Sequence, residues 1–159
     1  MANFIHPTAI IGDNVELGDN NYIGPYCIIG YPAEHKKYWP IMGKVFIGNN
    51  NVFTGMVTID AGTEDTTFIA NDCFFMKNVH AGHDCRILSG VTIACGAKIG
   101  GHSIIEQNCN IGLNAVLHQF SYIKQGCMIG ASAFFKGISE EYTKYAGVPA
   151  RKLGKNIRK

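Results

Sequence analysis

The chain has no stretch approaching the roughly 18 consecutive apolar residues that a membrane-spanning helix needs, which excludes such a helix. Its start, M-A-N-F-I-H-P, lacks the basic and apolar regions of a signal peptide, and we read the chain as cytoplasmic. Charge is scarce as well. Only 16% of residues are Asp, Glu, Lys or Arg, and the net charge of +2 is too small to argue for a nucleic-acid partner. Although there are 6 cysteines, no C-x-x-C pair occurs, so the spacing gives no support to a zinc or redox cluster. What the 159 residues do have is glycine, 19 of them, which suits a single domain with many tight corners.

The corners recur with a fixed period. From Ile69 to Glu140 the sequence divides into twelve units of six, nearly all opened by an aliphatic or aromatic residue (Ile69, Phe75, Ala81, Ile87 and so on to Phe135). The fifth place of each unit is small: Cys73, Val79, Cys85, Val91, Ala97, and onward to Ser139. Six fits neither a 3.6-residue helix nor simple strand alternation. It is the hexad of a parallel β-helix, in which each unit is a short strand plus a turn and stacked coils share one core.

The same phase runs from Ile5 to Ile29 and resumes at Ile41, Ile47, Phe53 and Ile59. Two loops interrupt it. One, near 34–40 (H-K-K-Y-W-P), keeps the count, and the other, near 63–68, adds the four residues E-D-T-T and shifts the frame. Loops on a rigid scaffold are where binding residues tend to sit. The reading is therefore an all-β chain, with the β-helix over residues 1–140 and a basic tail over 141–159.

Five cysteines (Cys27, Cys73, Cys85, Cys109 and Cys127) fall in the interior fifth place and are expected to be buried, with Cys95 the exception. In the tail, Lys144, Arg151, Lys152, Lys155, Arg158 and Lys159 face no acid. They form either a solvated, frayed end or a clamp for phosphates on a substrate or donor.

If three hexads make one coil, residues eighteen apart stack about 4.8 Å apart on one face. His83, His102 and His118 belong to the hexads opened by Ala81, Ile99 and Leu117, and so point outward near one stretch of one face. His80 stands at the adjoining corner. Imidazole titrates nearest neutrality and suits proton abstraction. Asp84 follows His83 and can orient its ring only if a corner bends the strand there. His102 and His118 have no acidic neighbour in sequence.

These residues carry a resemblance. V-H-A-G-H-D-C (79–85), G-G-H (100–102) and A-V-L-H-Q-F (115–120) resemble the active-site run of the bacterial acyl-carrier-protein-dependent UDP-N-acetylglucosamine acyltransferases, the first enzymes of lipid A synthesis. The opening I-H-P-T-A-I-I-G, the K-K-Y before Trp39 and V-T-I-D-A-G-T (57–63) are similar too. The resemblance implies a left-handed helix, an exception to the usual crossover hand, and a homotrimer with active sites between subunits. It implies an acyl group passing from an acyl-carrier-protein or coenzyme A thioester to a hydroxyl or amine of a nucleotide sugar.

Carried over, His83 is the general base, Asp84 supports it, and the Gly101 N–H holds the oxyanion. His80, His102, His118 and Gln119 line the acceptor and donor channel, and Lys37 meets the acceptor's phosphates. No covalent acyl-enzyme and no bound cofactor or metal is implied. Asp60 departs from the basic pair usual at its position. The ending A-G-V-P-A-R-K-L-G-K is more similar to small acetyl-coenzyme A-dependent transferases, whose tails approach the coenzyme phosphates, which makes Arg151 and Lys152 donor-binding.

Two readings from other classes stand beside this one. Gamma-type carbonic anhydrases use a similar prism with zinc on three histidines, but their pair five apart would need a partner near His118, where Tyr122 and Ile123 stand. A non-catalytic scaffold would require the histidine patch to be accidental.

Overall fold

The computed structural model describes residues 1–157 and shows a β-helix of short parallel strands. They stack into a nine-stranded, a seven-stranded and a six-stranded sheet, the three faces of a prism. Ile93 pairs with Ile111 and then Ile129, Ala81 with Ile99 and then Leu117, and Ile87 with Ile105 and then Ile123. Each step is eighteen residues, so three hexads do make one coil. Every opener from Ile69 to Phe135, and every fifth residue from Cys73 to Ser139, is buried. Each large aliphatic side chain removed from water in this way contributes about 1.5–3 kcal/mol before entropy is subtracted.

The period of six also fixes the corners. The fourth place of every hexad opened from Ile69 to Ile129 takes a left-handed backbone conformation, with positive φ at Asp72, Asn78, Asp84, Gly90, Gly96, His102, Asn108, Asn114, Phe120, Gly126 and Ser132. Gly, Asn and Asp enter that region most easily. His102 and Phe120 are there at greater cost, and both belong to the histidine face.

Register shows what the two loops do. Ile23 pairs with Phe53 and Ile29 with Ile59, thirty residues on, so the first loop inserts twelve residues, two whole hexads, and leaves the phase untouched. That loop joins the strand Ile28–Tyr31 to Val45–Ile47. It therefore contains Ile41, which keeps the hexad count yet is 59% exposed and in no strand, so the prism resumes at Val45 and not at Ile41. Phe53 pairs with Phe75 and Ile59 with Ala81, twenty-two on, as the four-residue insertion requires. The second loop lies between Asp60 and Thr67, with Thr67 and Phe68 already in the strand Thr67–Ile69.

The C-terminal segment is not frayed over its described part. Thr143–Ala146 adds to the nine-stranded sheet in parallel beside Met128–Ile129, then pairs antiparallel with Arg151–Lys155. Tyr145 meets Phe135 edge to face at 5.2 Å and covers the last coil. Arg158 and Lys159 lie outside the described residues.

Cys27, Cys73, Cys85, Cys109 and Cys127 are buried and Cys95 is half-buried. Burial pushes the Cys73 thiol up to about 11 and those of Cys85 and Cys109 up to about 12. Because the thiolate is the reactive form, these cysteines are expected to ignore thiol reagents in the folded protein and to react on unfolding. Fast native-state labelling of three or more would show that the hexads are out of phase.

Candidate active site

The histidine face is built on strands His80–Ala81, Lys98–Ile99 and Val116–Leu117, neighbours in the seven-stranded sheet. At the corner after the first, φ of +60° at Asp84 turns its side chain back toward His83. The His83 Nδ1 and Asp84 Oδ2 atoms stand 2.7 Å apart. A carboxylate only accepts, so Nδ1 carries the proton and Nε2 presents its lone pair.

Asp84 is among the most heavily bonded groups in the chain. Its Oδ1 accepts from the backbone N–H of Thr63 (2.8 Å), Glu64 (3.2 Å) and Asp65 (2.9 Å), and its Oδ2 from the Thr63 hydroxyl at 2.6 Å. Burial alone would raise its pKa, but these donors and the His83 ring outweigh it and hold the carboxyl well below the usual range. The four-residue insertion thus wraps the carboxylate that orients His83.

Beside the ring lies a thin wall of glycine. A Cβ on Gly101 would sit 2.8 Å from His83 Nε2, and one on Gly82 would sit 2.9 Å from the Gly101 nitrogen. Among the described residues the Gly101 N–H finds no acceptor, although its carbonyl accepts from Phe120 N–H. A base with a free lone pair and an unpaired N–H therefore share one opening. That opening is a cleft of about 410 Å³ lined by His80, His83, Gly101, His118 and Gln119 together with Glu34, Asp60 and Lys98.

Other residues fall differently from the sequence reading. His102 is not in the cleft lining: it stacks on Phe120 at 4.5 Å and meets His83 edge-on at 5.1 Å. Nor does it lack an acid, since its Nε2 is 3.4 Å from Asp84 Oδ2. Sequence distance hid this, because Asp84 and His102 occupy matching corners of successive coils. His118 does lack one; its Nδ1 is 3.1 Å from the Gln119 carbonyl oxygen. Lys37 is exposed outside the cleft lining, donating to the Tyr38 hydroxyl at 3.0 Å, which in turn donates to Glu64 at 2.6 Å. Lys152 bonds Glu140, Arg151 bonds the Ala150 carbonyl, and neither lines the cleft.

Three residues went unassigned in the sequence. Thr63 clasps Asp84, and its signal was its place directly before the insertion. His35, in the first loop, brings its ring to 5.4 Å from that of His83. Asp60 is buried and stands 3.6 Å from His80 Nε2, making a second His–Asp pair in the same cleft. The first carboxylate is less suited to a metal. His83, Asp84 and His102 offer ligand atoms within 4.8 Å of one another, but the Asp84 oxygens already accept from protein donors on every side.

Stacked hexapeptide coils with a cluster of histidines on one face point to a left-handed β-helix of the acyltransferase kind, and solved structures agree. A UDP-N-acetylglucosamine acyltransferase from Bacteroides fragilis superposes with a TM-score of 0.83 at 28% identity, over 98% of this chain and 62% of that one. Another crystal structure of a UDP-N-acetylglucosamine acyltransferase gives 0.87 at 28% identity, over 96% and 72%. No protein-family model matches the chain. Among curated proteins, the acyl-[acyl-carrier-protein]–UDP-N-acetylglucosamine O-acyltransferase of Paraburkholderia phymatum is 32% identical over 96% of this chain and 73% of its own length. That of Burkholderia orbicola is 34% identical over 89% and 55%. The chain belongs to the family of acyl-[acyl-carrier-protein]–UDP-N-acetylglucosamine O-acyltransferases. It spans about half the length of the Burkholderia relative, 55%, and 73% of the Paraburkholderia one.

Proposed function

We propose that the chain moves an acyl group from an acyl-carrier-protein thioester to the sugar of a UDP-N-acetylglucosamine-type acceptor, the step that opens lipid A synthesis, in the cytoplasm. The observation that carries this reading is His83 Nε2, open to the cleft beside the unpaired Gly101 N–H while Nδ1 is pinned by Asp84. His83 Nε2 takes the proton of the acceptor hydroxyl as its oxygen attacks the thioester carbon. The carbonyl oxygen becomes an oxyanion held by Gly101 N–H. Collapse breaks the C–S bond, and the imidazolium returns its proton to the departing sulfur. His80, His118 and Gln119 position the acceptor, with His102 bracing the dyad from behind. Lys37 meets the acceptor's phosphates, and Arg151 and Lys152 those of the donor.

A thiol-release assay with UDP-N-acetylglucosamine tests this, run across acetyl, butyryl and 3-hydroxyacyl groups on both acyl carrier protein and coenzyme A. Release from the carrier-protein donors is expected. Release from acetyl-coenzyme A alone would shift the reading to a small-molecule acetyltransferase, and about one tightly held zinc per site, by metal analysis, would replace it with a lyase.

The working unit is a homotrimer in this reading. Phe74, Val116 and Met128 are 38%, 39% and 39% exposed, and Met76, Ile104 and Phe134 are half-buried on the outer faces. That is more apolar surface than a lone prism should show. Light scattering is expected to report about three chains per particle, whereas a monomer at micromolar concentration would defeat the shared site.

A further inference from the structure

Away from His83 the cleft does not end. Through His80, Asp60 and Glu34 it opens into a second hollow of about 200 Å³, walled by Ile28, Tyr31 and Trp39. Two rings that face water, Trp39 at 57% and Tyr31 at 50% exposure, thus stand over a floor that carries two carboxylates. Asp60 is fixed there: its side chain is 12% exposed, and its Oδ2 lies 3.6 Å from His80 Nε2. His80 is fixed in turn by the Thr58 hydroxyl, 2.8 Å from its Nδ1.

Charge decides what such a hollow takes. Burial, and then the neighbouring Glu34 carboxylate, push Asp60 up to about 6, against the pull of His83, so Asp60 is anionic near neutrality but its charge is poorly compensated. His80 supplies little positive charge, since burial and then Lys98 lower its pKa. Among the described residues no Lys or Arg lines this hollow: Lys98 borders the adjoining cleft with its Nζ donating to the Asn78 carbonyl, and Lys36 lines a neighbouring hollow on the other side of Glu34 and Trp39. An anionic phosphate is repelled by both carboxylates and by the aromatic faces. A neutral hydroxyl is satisfied by a carboxylate but gains little from the rings, whereas an ammonium is attracted by both.

We propose that this hollow is an ammonium subsite for a nucleotide-sugar acceptor that carries a free amine besides its reacting hydroxyl: Asp60 and Glu34 hold the charge of that amine, and Trp39 and Tyr31 cover it. A bound ammonium has no lone pair, so it anchors the acceptor and does not react. The hydroxyl that reacts is the one laid toward His83 along the same cleft. This last step rests on the acyl-transfer reading above, but the binding itself does not.

Trp39 is the single tryptophan of the chain, so intrinsic fluorescence reports on the subsite directly. The full-length protein is titrated at pH 7 with glucosamine, and with N-acetylglucosamine and glucose as neutral matches of the same ring. A saturable change with glucosamine is expected, with the neutral sugars at least about tenfold weaker. Asp60→Asn should weaken glucosamine by about tenfold or more, and Glu34→Gln, at an exposed position, should weaken it too. Equal responses to all three sugars, no response to glucosamine, or full affinity in both carboxylate variants would each overturn the subsite. Persistent glucosamine binding in a protein that releases thiol from no donor would leave the subsite standing and remove the acyl-transfer reading instead.

Discussion

Replacing His83 by alanine is expected to lower turnover about 10²- to 10⁴-fold, the usual contribution of a general base, with the assembly and melting temperature nearly unchanged. The ring's Nε2 is the lone pair that stands over Gly101 in the cleft, and alanine removes it while the Asp84 carboxylate keeps the Thr63 hydroxyl and three backbone N–H donors. No other histidine is placed to inherit the role. His102 approaches the same carboxylate, at 3.4 Å, but is absent from the cleft lining, and His80 is tied to Thr58 and Asp60. His118→Ala, by contrast, should raise the acceptor KM more than it lowers kcat, because His118 lines the cleft without an acid to support proton transfer. Steady-state kinetics at saturating donor and acceptor separate the two. A His83→Ala protein that keeps most of its kcat would end the proposed mechanism.

The β-helix was legible because its signal is periodic. A hexad that must put one large and one small side chain inward every turn writes itself into the sequence at fixed places, and the interior of every coil from Ile69 to Phe135 obeys it. The first loop shows the limit of that signal. Twelve inserted residues leave the phase intact, so Ile41 keeps the count while sitting exposed outside any strand. The tail shows another limit, since nothing in A-G-V-P-A-R-K-L-G-K marks the hairpin that places Tyr145 on Phe135.

At the site, His83 and Asp84 could be paired from sequence once a corner was required between them, and the left-handed φ of Asp84 is that corner. Contacts made by stacking or by loops were hidden. Asp84 reaches His102 eighteen residues on, and His35 reaches His83 from a loop that crosses outside the prism. Asp60 and His80 are twenty residues apart and meet because their strands, Thr58–Asp60 and His80–Ala81, pair across the second insertion.

Asp84→Ala is expected to cost both stability and turnover, and the pH dependence of the first separates it from an ordinary cavity. The buried carboxylate organises the insertion: without it, the N–H groups of Thr63, Glu64 and Asp65 and the Thr63 hydroxyl lose a charged acceptor together. Hydrogen bonds to an ionised group are worth about 1.5–3 kcal/mol each, but Glu64 and Asp65 are exposed and can turn to water, so about 3 kcal/mol is the expected net loss. For a domain of this size that corresponds to roughly 6–12 °C in melting temperature. The pKa of Asp84 is lower in the folded chain than in the unfolded one. Its contribution is therefore fully present above the unfolded value, about 3.9, and is lost as pH falls below that toward the folded value. The gap in melting temperature between wild type and Asp84→Ala should accordingly be constant from pH 7 to pH 5 and narrow below about pH 4. Asp84→Asn sharpens the test, because its amide oxygen still accepts from the loop while its NH₂ opposes the Nδ1–H of His83. That variant should keep more of the melting temperature than alanine does yet lose turnover by about 10²-fold or more, as a base held in the wrong tautomer does. If the wild-type advantage stays the same down to pH 3, or if Asp84→Asn turns over normally, the carboxylate neither organises the loop nor orients His83.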